Sequence, residues 1–279
     1  MSLFALSIVL IAAFLHALWN ALVKGSSDKA IMLAGVAAAH SVFGAVAIFF
    51  VAVPDPASWP YLIASIVIHY GYYALLFQAY RFGDLSQVYP ISRGMAPALV
   101  AFGAFLVIGE TMPVAGIAGL VAVSLGICML ALLRGAANAD RRAVYVALVL
   151  GCTIAIYSVV DGIGIRSAVS TLGYIAWLSF SEIPITAWVL YGRWRRREPF
   201  PKKRFAKGMV GGLFSIFAYG IALYAATIAP LGAVSAVRES SVIIAALIGL
   251  VVFRERPWIG RLIAAGIVAA GVILLAISE

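Results

Sequence analysis

The chain is 279 residues long, 64% hydrophobic and only 11% charged, with a mean hydropathy of +1.07. A soluble domain carries roughly a quarter of its residues as charges, so this chain cannot cover a water-exposed globule, and lipid must be the solvent over most of its surface. The net charge of +9 then reads as basic loops on the cytoplasmic side of a membrane, and nucleic acid is excluded as a partner.

Apolar runs separated by charge and turn signals predict ten spans of about 20 residues: 3–23, 30–53, 61–80, 86–108, 113–133, 143–164, 171–192, 207–228, 231–253 and 258–277. The first has no basic residue before it, while Lys24 and Lys29 follow it. That is the reverse of a signal peptide, so it is expected to remain as a helix. Pro54 and Pro56 close the second span, and Pro113, Pro230 and Pro257 stand at or just before helix starts, where a missing N–H costs least. Pro97 and Pro184 lie inside spans and are expected to kink them. Cys128 and Cys152 lack metal-ligand spacing, and neither a metal nor any other cofactor is expected.

Orientation follows from charge. With the N-terminus outside, 17 of the 20 Lys and Arg residues fall in cytoplasmic loops, including the run from Arg193 to Lys207. Both termini are therefore predicted periplasmic or extracellular. The basic run serves as an orientation anchor and could also bind anionic lipid.

Internal symmetry is the next signal. A shift of 145 residues lays Arg93 on Arg238, Glu110 on Glu255 and Gly126 on Gly271; a shift of 141 lays Asn20 on Asp161 and His16 on Tyr157. Five spans per half is an odd number, so the halves must insert with opposite orientation. Such inverted repeats place a substrate site near the midplane between them. The predicted fold is all-α, ten transmembrane helices as two inverted five-helix repeats, 1–135 and 141–279, around a central cavity.

The segments HALWNALVK at 16–24, VYPISRGMAP at 88–97, GETMPVAGIAGL at 109–120, VVDGIGIR at 159–166 and FRERPWIGRLIAAGIVAAG at 253–271 carry a resemblance. In them the chain resembles the EamA-type transporters of the drug/metabolite transporter superfamily, with a looser similarity to a phosphonate-utilisation-associated subgroup in its Trp-Asn and Tyr-Pro-x-x-Arg-Gly stretches. The resemblance covers essentially the whole chain. It implies a ten-helix bundle working by alternating access in a bacterial inner membrane. Family substrates range over amino acids, drugs, metabolites and sugar phosphates. The Trp-Asn pattern of the family's first and sixth helices is represented by Trp19-Asn20 and Val160-Asp161.

Ionisable groups at bilayer mid-depth cost about 2.5–3.5 kcal/mol each and mark cavities or partners. Arg93 and Arg238 could clamp an anionic group bidentately; the competing reading is a static pair or a snorkel, and Glu239 could neutralise Arg238. Glu182, near the centre of the seventh span, could take and release a proton or hold a substrate amine, against a static bridge to Arg93 or Arg238. Asn20 with His16 and Asp161 with Tyr157 each share a helix face and could line the cavity; otherwise Asn20 and Asp161 cap or glue helices. His40 and Tyr89 complete the candidate site, with Asp161 a second proton-coupling candidate. His69, Tyr70, Tyr72 and Tyr73 could stack a ligand or a cation, or simply pack. Small-residue spacings such as Gly208 to Gly212 and Gly116 to Gly126 suit dimerisation and intramolecular packing equally.

The function so reached is a secondary transporter for a small polar metabolite, anionic, zwitterionic or drug-like, with proton coupling an option. The partners expected are the solute and membrane lipids. A monomer suffices to close the cavity, and a homodimer is left open. The alternative classes are a lipid flippase, which requires a laterally open groove, a non-transporting receptor, and a membrane enzyme. The last would need convergent carboxylates or a Ser/His pair, and Asp161 and Glu182 form no such motif.

Overall fold

The structure is a computed structural model that describes residues 1–82, 85–133, 140–244 and 258–278; side chains are described except at 80–82, 85–89 and 258. Glu255, Pro257 and the end of the ninth predicted span lie outside the described residues. Among them are eleven α-helices and one 3-10 turn: α1 (Leu3–Lys24), α2 (Lys29–Ala47), a turn at Pro56–Ser58, α3 (Trp59–Phe82), α4 (Leu85–Ile108), α5 (Val114–Leu133), α6 (Arg141–Ser167), α7 (Thr171–Phe180), α8 (Ile183–Arg195), α9 (Lys202–Ile228), α10 (Leu231–Glu239) and α11 (Trp258–Ile277).

Local chemistry sets these boundaries. Ser2, Asp28, Asp140 and Ser170 each accept a backbone N–H of the first turn of α1, α2, α6 and α7. The Gly109-Glu110 turn ends α4: Gly109 takes φ +67°, its N–H bonds Phe105 O, and the next N–H bonds Ala104 O. A left-handed glycine closing the last helical turn in this way also delivers Glu110 back toward the bundle.

Among the described residues, eight helices are long and apolar enough to cross a membrane, coinciding with eight of the ten predicted spans. The exceptions are the seventh and ninth. The seventh is split into α7 and α8 at Ser181-Glu182. Pro184 was expected to kink this span, and the reason for a full break is local: its ring excludes the carbonyl of residue 180 from helical geometry, and α7 ends at Phe180. Ser240 likewise ends α10, after which 241–244 resume a helical course. Pro97 and Pro90, by contrast, stand inside a single uninterrupted α4.

The bundle is inside-out relative to a soluble protein. Phe49, Phe50, Val114 and Val169 are each more than 80% exposed, whereas Arg93, Asp161 and Glu239 are at most 2% exposed. Apolar atoms outside and charges inside fit hydrocarbon as solvent.

Close contacts replace hydrophobic drive where helices cross. A Cβ on Gly119 would meet Gly271 O at 2.7 Å, and one on Gly271 would meet Gly119 O at 2.6 Å, so α5 and α11 touch backbone to backbone. Gly208 and Gly35 do the same for α9 and α2, where a Cβ on Gly208 would collide with Met32 O. The Gly208 and Gly212 spacing thus serves packing within the chain. Gly208→Val is expected to cost about 1–3 kcal/mol, the usual penalty of overpacking. Gly211→Ala, whose Cβ would find its nearest atom at 3.7 Å, should be near neutral. Thermal midpoints of the two variants in one detergent check this; equal midpoints would refute the contact.

Candidate functional site

A central cavity of about 80 Å³ opens between α1, α2, α3, α4, α6, α7 and α9, room for a handful of waters at roughly 10–15 Å³ each. Of the residues singled out in the sequence, His16, His40, His69, Arg93, Tyr157 and Glu182 line it. Tyr72 and Tyr73 join them, as do Trp19, Ser179 and Tyr219.

Glu182 owes its position to the break between α7 and α8. Its backbone carbonyl accepts Ile185 N, while its side chain does not cap α8 and turns inward instead. There Oε1 lies 3.1 Å from His40 Nδ1, and Oε2 accepts the Tyr73 hydroxyl at 3.1 Å. The competing reading, a static bridge to Arg93 or Arg238, is not what Glu182 makes among the described residues; its ionic partner there is His40. His40 Nε2 is buried and has no hydrogen-bond partner among the described residues. Tyr70, which could have stacked a ligand or simply packed, donates to Ser181 O at 2.6 Å and covers a carbonyl freed by the helix break.

The two arginines converge on one carboxylate. Arg93 NH1 donates to Glu239 Oε1 at 2.8 Å, and Arg238 NH2 reaches the same oxygen at 3.4 Å. Arg93 faces the central cavity. Arg238 lines a separate cavity of about 20 Å³ with Ser158, Ser235 and Tyr219. The matched arginines are therefore joined through Glu239 and do not face one ligand space together.

Asp161 is fully buried and lines neither of these cavities. The Tyr174 hydroxyl donates to its Oδ1 at 2.9 Å, and the Tyr219 hydroxyl donates to its Oδ2. It thus acts on the central cavity only through Tyr219. Asn20 turns back on its own helix, where Nδ2 donates to His16 O at 2.7 Å, and is not among the lining residues. The His16 ring accepts from Trp19 Nε1 at 3.2 Å. His69 lies with its ring centroid 4.5 Å from that of Tyr157 and 6.0 Å from that of Tyr219, forming one aromatic wall. The side chain of Tyr89 lies outside the described residues.

Ion pairs tie both ends of the bundle. Near the start of α9, Arg193 NH1 meets Asp28 Oδ2 at 2.7 Å. Near its far end, about 40 Å along a 27-residue helix, Arg166 NH1 meets Glu110 Oε2 at 3.2 Å, while Arg166 Nε donates to Ala226 O and NH2 to Ala229 O. Glu110 Oε1 accepts Leu231 N at 2.6 Å, which caps α10 from across the fold and offsets the cap that Pro230 cannot supply.

Three participants escaped the sequence reading. Glu239 was seen as a neighbour of Arg238 but not as the counterion of Arg93, which is 146 residues away. Tyr219 and Tyr174 sit in apolar spans without any motif, and nothing local marks a tyrosine that will meet a buried aspartate.

None of the curated proteins compared with this sequence matches it. One solved crystal structure superposes with a TM-score of 0.74 over 98% of this chain and 96% of that chain at 15% identity, a likeness of fold alone. Residues 141–277 match the model of the EamA-like transporter family. The second half of the chain is thus similar to the EamA-like transporter family, in a protein with eight described helices long and apolar enough to cross a membrane.

Proposed function

We propose that the protein is a secondary transporter that moves a small polar metabolite across the bacterial inner membrane by alternating access. The observation that carries this reading is the placement of Glu182 with His40, and of Arg93, on one cavity inside an apolar bundle. Charges at that depth are retained at a cost of several kcal/mol, and a cavity with opposite charges on its walls suits a zwitterion. The amine would meet Glu182 and the aromatic wall of His69, Tyr72, Tyr157 and Tyr219; the anionic end would meet Arg93. In this reading Glu182 and His40 also carry the coupling proton, and Asp161 is set back from the solute.

The frame proposed is two inverted repeats, 1–135 and 141–279. Reciprocal packing supports it: α1 packs on α9 as α3 packs on α6, and α5 packs on α11 as α4 packs on α10. With the basic loops cytoplasmic, the Asp28–Arg193 tie lies inside, the Glu110–Arg166 tie lies outside, and both termini are periplasmic. Opening one tie while the other holds would expose the cavity to one side at a time. A single chain holds all of the cavity residues, so a monomer suffices.

The test is counterflow and pH-driven uptake in liposomes, with radiolabelled amino acids, aminophosphonates and cationic drugs as probes. Saturable uptake of at least one amine-bearing probe, lost in Arg93→Ala or Glu182→Gln, is the expected result. Uptake that is unchanged in both variants would overturn the site.

A second reading has one observation in its favour. An apolar groove between α1, α2, α7 and α9 includes Ile8, Phe43 and Leu172 and shares Ile175 and Ile216 with the central cavity. Two isoleucine side chains thus separate the polar site from the lipid-facing surface. Movement of an amphipathic lipid would use such a side opening. Scrambling of a fluorescent phospholipid in the same liposomes, with no solute counterflow, would favour it.

A further inference from the structure

The turn between α8 and α9 carries more charge than the fold balances. Residues 193–207 hold eight Lys and Arg and a single carboxylate, Glu198. That carboxylate is used within the turn. Its Oε1 accepts from Arg196 Nε at 2.7 Å, and its Oε2 lies 3.4 Å from Arg193 NH1, which is also tied to Asp28. Arg195, Arg197, Lys202, Lys203, Arg204 and Lys207 are exposed and form no ion pair among the described residues.

Several of these cations stand where the backbone disfavours them. Arg197 takes φ +54°, the left-handed conformation that closes a helix and usually falls to glycine. Lys202, Lys203 and Arg204 open α9, whose positive end repels cations, and Pro201 precedes them without a side-chain cap. Helix α6 also opens on two basic residues, Arg141 and Arg142, but there Asp140 caps the helix and supplies a carboxylate. In the first turn of α9 there is no acidic residue.

Aromatic rings set the depth of the turn. Trp194 is 73% exposed and Phe200 46%, and Trp194 packs on Tyr191 with ring centroids 5.8 Å apart. Exposed rings beside cations suit the headgroup layer, where the rings meet acyl chains and the cations meet phosphate. A free anion in water would gain nothing from such rings.

We infer that this turn is a docking surface for the headgroup of an anionic phospholipid, its phosphate taken by the exposed cations and its chains lying against Trp194 and Phe200. The inference requires only that the chain spans a membrane, and it is independent of what the protein transports.

The test places the full chain in phosphatidylcholine bilayers with a trace of spin-labelled lipid, whose spectrum gives the share of label held against the protein. Phosphatidylglycerol should be held at least about 5-fold more strongly than phosphatidylcholine, the worth of one Lys or Arg near a charged surface. In about 1 M salt, which screens charges beyond about 3 Å, the preference should vanish. Lys203→Gln with Arg204→Gln should at least halve it. Arg141→Gln with Arg142→Gln, an equal loss of charge at the start of α6, should leave it unchanged. All four positions are exposed, so folding should survive in both variants, and the thermal midpoint in phosphatidylcholine alone checks this. Excess inorganic phosphate should not displace the labelled lipid; displacement would assign a free anion and overturn the proposal. Equal retention of the two lipids, or equal losses in the two variants, would also overturn it and leave the basic run as an orientation anchor alone. Because no transport is measured, this test and the liposome test can fail independently.

Discussion

Glu182→Gln is expected to abolish uptake driven by a pH gradient while leaving the protein folded. Glutamine keeps the shape of the side chain and can still accept from Tyr73 and donate to His40 Nδ1, the two groups that hold Glu182 at 3.1 Å each. A neutral exchange of this kind, with both partners still satisfied, costs little stability. What disappears is the charge and the proton it can carry. A charge-assisted hydrogen bond is worth about 1.5–3 kcal/mol, so affinity for an amine-bearing solute should fall about 10- to 150-fold. Comparing counterflow at equal pH with accumulation under a gradient separates two roles. Counterflow that persists without accumulation assigns proton coupling; loss of both together with binding assigns solute contact. A variant that accumulates solute as the wild type does would remove Glu182 from the mechanism.

Glu239→Gln should produce the largest loss of stability of any single polar substitution in the core. The carboxylate is fully buried, and Arg93 is 2% exposed. Both guanidinium groups lean on the one oxygen. Removing one partner of a buried ionic group costs about 3–5 kcal/mol, because the charges that stay behind are uncompensated. Arg93→Met in the Glu239→Gln background should recover part of that loss, since one buried cation is removed. The two substitutions are thus expected to be strongly non-additive. Denaturant or thermal unfolding in nanodiscs gives the four corners of the cycle. A Glu239→Gln protein within about 0.5 kcal/mol of the wild type, the usual range for a surface change, would show that the carboxylate is not the counterion it resembles.

Eight of the membrane-crossing helices are legible from hydropathy alone, because lipid demands about 20 apolar residues in a row. So is the rule that rare charges in such runs mark the interior: Arg93, Asp161, Glu182, Arg238 and Glu239 are all buried. Partner choice was not legible. The sequence reading offered Glu182 an arginine, and the fold gave it His40, because the break that Pro184 enforces turns its side chain toward α2. The shift that matched Arg93 with Arg238 suggested two arms around one ligand, but Glu239, one residue past Arg238, draws both guanidinium groups to itself. Asn20 and Asp161 match in sequence and differ in place, one folded onto its own backbone and the other held by two tyrosines.

By itself, then, the sequence determined the solvent, the helices that span it and which residues are too costly to leave in lipid, since these depend on transfer energies of short stretches. Only the tertiary structure decided which charges pair, which of them still face the central cavity, and that Arg238 belongs to a second one. Those outcomes depend on contacts between residues more than a hundred positions apart, and no local pattern encodes them.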